Sequence, residues 1–397
     1  MKHLFSILIF STVIFSAFGQ QLISLSTLKG ENTRNNLGNT EACSIYASVY
    51  LEHAYIMENV LVVSGTDQIN LYDLKERYSD PGFSGELLPF KLQPNSYIIS
   101  PLSTTELAKL KGVLYYNTAK QSQNKYFSVI NVSYEQNISL HGQYGDEDIT
   151  VVFLNTDIYT APSLSTKISK WNQDSDATVA IYQGIPQDGV APQNTQIFSN
   201  PMNNKYFSNV ETFALSTAAF HIKVSTSLNG CSFTIKADDA FLDGPTTTAY
   251  TTTGFYMIPE GETGGATEIN TMKRIGFLGS TGVNIIGHVP VGESVSFDVY
   301  DDTNHWGKSL VPNDFITSWS TPNVGNDLVI SSTANSVFYV QYYVNQEDVP
   351  TNGTDAPPTV TAHVETTTVS GHVERTTRSS GSIFTLLSMF IVLMKLL

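Results

Sequence analysis

The sequence predicts an all-β protein: two or three antiparallel β-sandwich modules in tandem, then a disordered Thr-rich stalk and an apolar C-terminal tail. Three observations carry this reading. Apolar runs between Cys43 and Val344 are short and rich in β-branched and aromatic residues, the composition of strands. Several runs alternate: Phe220, Ile222 and Val224 fall on one side, His221, Lys223 and Ser225 on the other. That period of two is the mark of an antiparallel strand with one face buried and one wet. Charged residues make up only 14% of the chain, against ~25% in ordinary soluble domains. Hydroxyls, amides and aromatics fill the difference, as suits an extracellular β surface.

Residues 1–19 have a basic front, an apolar middle and Ala17-Phe-Gly19 at their end. This is the layout of a secretory signal peptide cleaved before Gln20. The polar stretch Gln20–Thr40 is expected to be half-ordered. A first module is assigned to residues 25–122, with strands at Asn59–Ser64, Ser96–Ser100 and Val113–Tyr116. Within it, Ser103-Thr-Thr-Glu106 is a capping box, in which hydroxyl and carboxylate satisfy the orphan N–H groups of a helix start. It predicts one short helix over Leu107–Lys111, with Gly112 as a left-handed stop.

A second module, 123–228, contains strands at Phe127–Val132, Ile149–Leu154, Ala177–Tyr182 and Phe220–Ser225. A third, 229–348, shows Val295, Phe297 and Val299 alternating with Ser296, Asp298 and Tyr300. Later Phe338, Val340, Tyr342 and Val344 alternate with Tyr339, Gln341 and Tyr343. Self-comparison ties the modules together. Asn137-Ile-Ser-Leu-His141 leads to Trp171, and Asn284-Ile-Ile-Gly-His288 leads to Trp319, with His-to-Trp separations of 30 and 31 residues. A fainter match sets Leu71-Tyr-Asp73 and Gly85–Pro89 against Val299-Tyr-Asp301 and Gly307–Pro312.

Residues 349–382 are rich in Ser, Thr and Pro and repeat His363-Val-Glu and His372-Val-Glu. Such a segment cannot bury a core and reads as an O-glycosylated stalk. Residues 383–397 form an apolar block of 15 residues that includes Lys395. A spanning helix needs ~20 apolar residues to cross ~30 Å of hydrocarbon. The short block after Ser379-Ser-Gly-Ser382 therefore reads as the signal for a glycosylphosphatidylinositol (GPI) anchor, with Ser379 as the attachment candidate. A short single-pass helix is the alternative, and secretion the third.

Lys and Arg number 21 against 36 Asp and Glu, a net charge of −15. No basic stripe occurs, which argues against nucleic acid and anionic lipid surfaces as partners. The expected partners are the membrane, through the C-terminal anchor, and an extracellular protein or glycan. The two cysteines, Cys43 and Cys231, have one possible pairing in an oxidising compartment, a long-range bridge; two buried thiols are the alternative. Sequons occur at Asn131, Asn137 and Asn352. The first two are six residues apart, an even spacing that puts both on one face if they share a strand. Asp298, Asp301, Asp302 and Asn304 gather oxygens where a strand ends, a weak calcium candidate beside the commoner reading of a solvated turn.

No catalytic signature is present: no Gly-x-Ser-x-Gly elbow, no His-Glu-x-x-His helix and no Gly-rich phosphate loop. No cofactor is expected. His141 and His288 share a repeat position, which favours structure over chemistry. Trp306, beside His305, offers an aromatic face for a sugar ring or a half-buried strand end.

Two resemblances follow from particular residues. Ala177-Thr-Val-Ala-Ile-Tyr-Gln-Gly184 is similar to the strand and turn of CUB-type sandwiches. Together with the 355–397 tail, it resembles the secreted and GPI-linked glycoproteins of nematodes that include CUB-like domains. The cysteine pairs of each CUB module are absent here. This resemblance implies a surface protein at an epithelium, associated with innate defence and membrane rafts. Gly85-Glu-Leu-Leu-Pro-Phe90 leading into Asn95–Ser100 is similar to the proline-bearing strand pair of IgGFc-binding-type extracellular repeats. The function read from the chain is thus non-enzymatic display of β modules for binding or barrier work. The alternatives are a glycan-processing or sugar-binding protein, and a single-pass membrane glycoprotein.

Overall fold

The computed structural model describes residues 20–348, except 80–84, 142–147, 161–163, 188–195, 203, 226–229, 239–245, 249–250, 259–264, 272–276, 287–291, 301–304, 311–322, 325–326 and 334–337. The fold is all-β. Strands alternate side chains between two sheet faces, and each inner face is buried against a second sheet, giving three sandwich cores within one compact unit ending at Val349.

In the first sandwich, β1 (Gln21–Ser24), β3 (Cys43–Val49), β6 (Phe90–Leu92) and β8 (Gly112–Tyr116) form a sheet in the order β1-β8-β3-β6. Its partner is built from β2 (Asn35–Asn36), β4 (Leu61–Ser64), β5 (Asp67–Asn70) and β7 (Tyr97–Ile99), in the order β2-β7-β4-β5. Ile45, Ala47, Val49 and Leu114 share a core with Val62 and Ile98 of the opposite sheet. The 20–40 stretch, expected to be half-ordered, supplies β1 and buries Leu25, Leu28 and Leu37. Its apolar residues are too irregularly spaced to show a period, so only packing orders it. The strands near Pro89 and Ser96 do not pair: β6 and β7 lie in different sheets.

Helices are short: α1 (Ala54–Glu58), α2 (Leu71–Lys75), α3 (Thr104–Leu107) and α4 (Ala119–Gln123). The capping box forms as expected at α3. Glu106 N donates to Ser103 Oγ at 3.2 Å and Ser103 N to Glu106 Oε2 at 3.0 Å. These bonds to the charged form hold the Glu106 carboxyl below its usual range. The helix starts at once after the cap, however, rather than at Leu107. Gly112 opens β8 at φ +143°, and a Cβ there would lie 2.4 Å from Ser48 O. α4 has the same box, Thr118 with Gln121, and Asn70 caps α2 by accepting from Asp73 N at 2.7 Å. Segments of four or five residues leave no helical period to read. Because Leu71–Asp73 is helical while Val299 and Tyr300 are in a strand, the fainter repeat match fails.

The second sandwich comprises β9 (Phe127–Asn131), β10 (Gln136–Leu140), β11 (Ile149–Leu154), β12 (Ser165–Gln173), β13 (Val179–Gln183), β14 (Gln196–Asn200), β15 (Phe213–Leu215), β16 (Ala219–Val224) and β17 (Cys231–Asp238). Its sheets run β14-β13-β16-β11-β9, with β9 parallel to β11, and β10-β17-β12-β15. β17 pairs with β10 and β12, so this module extends past the expected boundary at residue 228.

The third sandwich comprises β18 (Thr246–Thr248), β19 (Thr252–Met257), β20 (Gly265–Thr271), β21 (Phe277–Ile286), β22 (Val295–Tyr300), β23 (His305–Leu310), β24 (Asn323–Val324), β25 (Asp327–Ser332) and β26 (Tyr339–Asp348). Its sheets run β18-β20-β25-β22-β23 and β19-β26-β21-β24. Phe297, Ile330, Phe338 and Val340 meet in its core.

Outer faces expected to be wet are covered where modules meet. Tyr46, Val113 and Tyr115 of the first module pack against Val129, Val152, Leu154 and Ala219 of the second. The main chain is stitched there as well. Leu87 N donates to Val129 O and Asn131 N to Gly85 O, both at 2.8 Å, which extends the five-stranded sheet beyond its β9 edge. A Cβ on Gly85 would sit 2.4 Å from Asn131 O, so only glycine permits the approach. Between the second and third modules, Gln341 lies opposite the β14 edge. Ser199 N donates to its Oε1 at 3.0 Å and its Nε2 donates to Ser199 O at 2.7 Å. The side-chain amide thus acts as a neighbouring peptide group would, satisfying an edge that burial would otherwise leave unpaired. Met202 and Phe207 of the second module also pack with Tyr343 of the third.

Candidate functional site

The sequence-predicted polar residues that come together on a solvent face lie on the β22–β23 hairpin. Val295, Phe297 and Val299 point into the core, so Asp298 and Tyr300 point away from it. The register sets Tyr300 opposite His305 and Asp298 opposite Gly307. His305 Nε2 lies 2.8 Å from Asp298 Oδ1. Its ring stacks on Tyr300 with centroids 4.6 Å apart and planes 11° from parallel. Gly307 makes room, since a Cβ there would lie 2.4 Å from Asp298 Oδ1. Across the sheet, Tyr300 is paired with Asp327, and the Asn270 amide stands between the Asp327 and Glu268 carboxylates.

The result is an exposed acidic face carrying one imidazole and one phenol ring, able to accept hydrogen bonds and stack on a flat apolar surface. Trp306 does not join this face. It neighbours His305 along β23 and so points the other way, opposite Val299, yet it is 42% exposed because β23 is the sheet's edge strand. The Asp298–His305 pair spans a hairpin seven residues apart, and only the strand register brings it together. Of the calcium candidates, Asp298 is engaged by His305, while Asp301, Asp302 and Asn304 lie outside the described residues. Among the described residues no three His, Cys, Asp or Glu side chains are grouped to hold a metal.

The two described sequons do not share a strand or a sheet. Asn137 is exposed on β10, its Oδ1 accepting from Thr234 Oγ1 at 2.8 Å. Asn131 ends β9 at the junction of the first two modules. Its Oδ1 accepts from Ser48 Oγ at 2.5 Å and its Nδ2 donates to Tyr78 OH at 3.2 Å. Asn352 and Ser379 lie outside the described residues.

The bridge that the cysteine count allows does not form. Cys43 and Cys231 are free and buried, Cys43 in the core of the first sandwich and Cys231 in that of the second. Desolvation pushes the Cys43 thiol up to about 11 and Cys231 higher still.

His221, expected on a wet face, is 3% exposed. Its ring stacks on Tyr182 at 4.8 Å and its Nδ1 lies 2.8 Å from Gly184 O. Burial lowers its pKa to about 4, Gly184 O opposes the shift and Lys223 adds to it. His141 follows β10, is exposed and contacts the Ser139 hydroxyl. Trp171 is half-buried, stacked on Phe233 at 5.4 Å, and donates Nε1–H to Gln173 Oε1 at 3.1 Å. Its expected counterparts, His288 and Trp319, lie outside the described residues.

One cluster escaped the sequence motifs. Lys91 donates to Ser44 Oγ at 3.1 Å and Ser122 Oγ at 3.2 Å, and the two hydroxyls are 2.5 Å apart. A serine–lysine nucleophile needs a desolvated lysine beside an accessible hydroxyl. Here Lys91 is exposed and Ser44 completely buried, so the group ties α4 to the β3–β6 edge.

Comparison with known proteins adds the family. No curated protein matches the chain. Among solved structures, the CUB1-EGF-CUB2 region of human MASP-1/3 is similar at 10% identity, over 53% of this chain and 100% of that one, with a TM-score of 0.19. A Bacillus thuringiensis Cry1Da tryptic core variant is similar at 12% identity, over 30% of this chain and 28% of that one, with a TM-score of 0.18. The infectious bursal disease virus VP2 subviral particle is similar at 11% identity, over 83% of this chain and 73% of that one, with a TM-score of 0.13. At these scores none of them bears on the fold or the site. The family model described as "Transmembrane glycoprotein" matches residues 40–394, nearly the whole sequence, and the chain therefore belongs to the transmembrane glycoprotein family.

Proposed function

We propose that this protein is a non-enzymatic surface glycoprotein, held at the outer face of the plasma membrane by a GPI anchor near Ser379. It displays its sandwich modules for binding an extracellular protein or glycan. The observation that carries the reading is the use of polar side chains at the module junctions. Asn131 and Gln341 each bond across a junction through both ends of the amide. These groups hold modules together and are closed to substrate, while the open polar surface on β22–β23 suits reversible contact. Asn137 is the glycan acceptor in the described region; Asn131 stays unmodified, because a sugar on Nδ2 would displace Tyr78 and part the modules.

The test of anchoring is phosphatidylinositol-specific phospholipase C applied to cells displaying the protein. Release of the intact chain into the medium is expected. The family's name favours a second reading, a single-pass membrane glycoprotein, and retention after complete digestion would establish that one instead. For the binding face, Tyr300→Ala with His305→Ala should abolish capture on a glycan array or cell surface while leaving the fold intact.

A further inference from the structure

Gln20 is where signal cleavage would start the mature chain, and it is packed rather than loose. It is 9% exposed and directly precedes β1, whose four residues pair with β8. Tyr115 OH donates to Gln20 Oε1 at 3.0 Å. The other end of the same amide, Nε2, is buried with no hydrogen-bond partner. A mature chain beginning with ordinary glutamine would therefore place two unfavourable groups at one packed position. One is an amide donor without an acceptor, which loses its hydration with no return. The other is an α-ammonium, whose charge is costlier to desolvate than any neutral amide.

We propose that Gln20 is cyclised to pyroglutamate in the mature protein. The α-amino nitrogen attacks Cδ of its own side chain. The Nα–Cδ bond forms, the Cδ–Nε2 bond breaks, and Nε2 leaves as ammonia with the proton given up by the amine. Nothing is oxidised or reduced, and no co-reactant is consumed. The lactam retains a carbonyl oxygen as acceptor, removes the nitrogen that has no partner, and removes the terminal charge. Ring closure folds the side chain back on its own nitrogen, so it precedes the docking of β1 and belongs to the secretory lumen. The inference rests on cleavage before Gln20, which comes from the sequence.

The experiment is peptide mass analysis of the full chain recovered from a eukaryotic secretory host, denatured and digested. The expected N-terminal peptide begins at Gln20, is lighter than its sequence by one ammonia, and resists amine labelling until treated with pyroglutamyl peptidase. The Gln20→Ala chain should return a labelled N-terminal amine. A peptide beginning at Gln20 with full mass and a free amine overturns cyclisation while leaving the cleavage site standing. A chain beginning at any other residue overturns the cleavage reading and the proposal with it. Because the readout is taken on denatured chain, it stands whether or not Gln20→Ala folds well.

Discussion

Acid should weaken this fold through His221, and the size of the effect follows from its surroundings. The imidazole is neutral and buried, with its pKa lowered from 6.5 to about 4, chiefly by desolvation. The unfolded chain therefore binds a proton more readily than the folded one between those values. Stability rises with pH wherever the unfolded state holds more protons, so the neutral-His contribution is complete above pH 6.5 and is lost as pH falls toward 4. At ~1.4 kcal/mol for each pH step between the two values, the loss is about 2 kcal/mol near pH 5 and about 3 kcal/mol near pH 4. Gly184 O and Lys223 are the polar and charged groups acting on the ring, and Tyr182 supplies its stacking partner. The assay is urea unfolding of the wild type and His221→Phe across that range, reading the difference between the two at each pH. Carboxylates titrate alike in both chains and cancel. The mutant should lose less stability than the wild type as pH falls. Parallel curves for the two proteins would refute the assignment of a buried neutral imidazole.

Gly85→Ala should destabilise by ~1–3 kcal/mol through overpacking against Asn131 O, with faster hydrogen exchange at the Leu87 and Asn131 amides; unchanged exchange would show that the modules do not depend on this approach. Trp171→Ala should cost about 2 kcal/mol, below the ~3–5 kcal/mol of a fully buried aromatic because part of its surface is already wet, as read by thermal melting. Asn137→Gln should remove one glycan by gel shift after secretion from a eukaryotic host, whereas Asn131→Gln should leave the glycan count unchanged and lower the melting temperature.

The sequence by itself determined the all-β class, the capping box at Ser103 and the sharing of faces along strands such as β16 and β26. These are local matters: alternation is written in neighbouring residues, and a cap needs only four of them. Tertiary structure decided what covers each face. Tyr339, Gln341 and Tyr343 alternate with core residues and so read as wet, yet Gln341 is completely buried because the β14 edge lies against it. His221 carries the same pattern and is buried for a comparable reason, Tyr182 and the turn at Gly184 closing over it. The pairing of Asp298 with His305 needed a hairpin register, and the separation of Cys43 from Cys231 needed the placement of two cores. A strand's own residues state which side chains travel together. Whether the second face meets water or another sheet depends on chain more than a hundred residues away, as Gln341 and Ser199 show, and no local period records it.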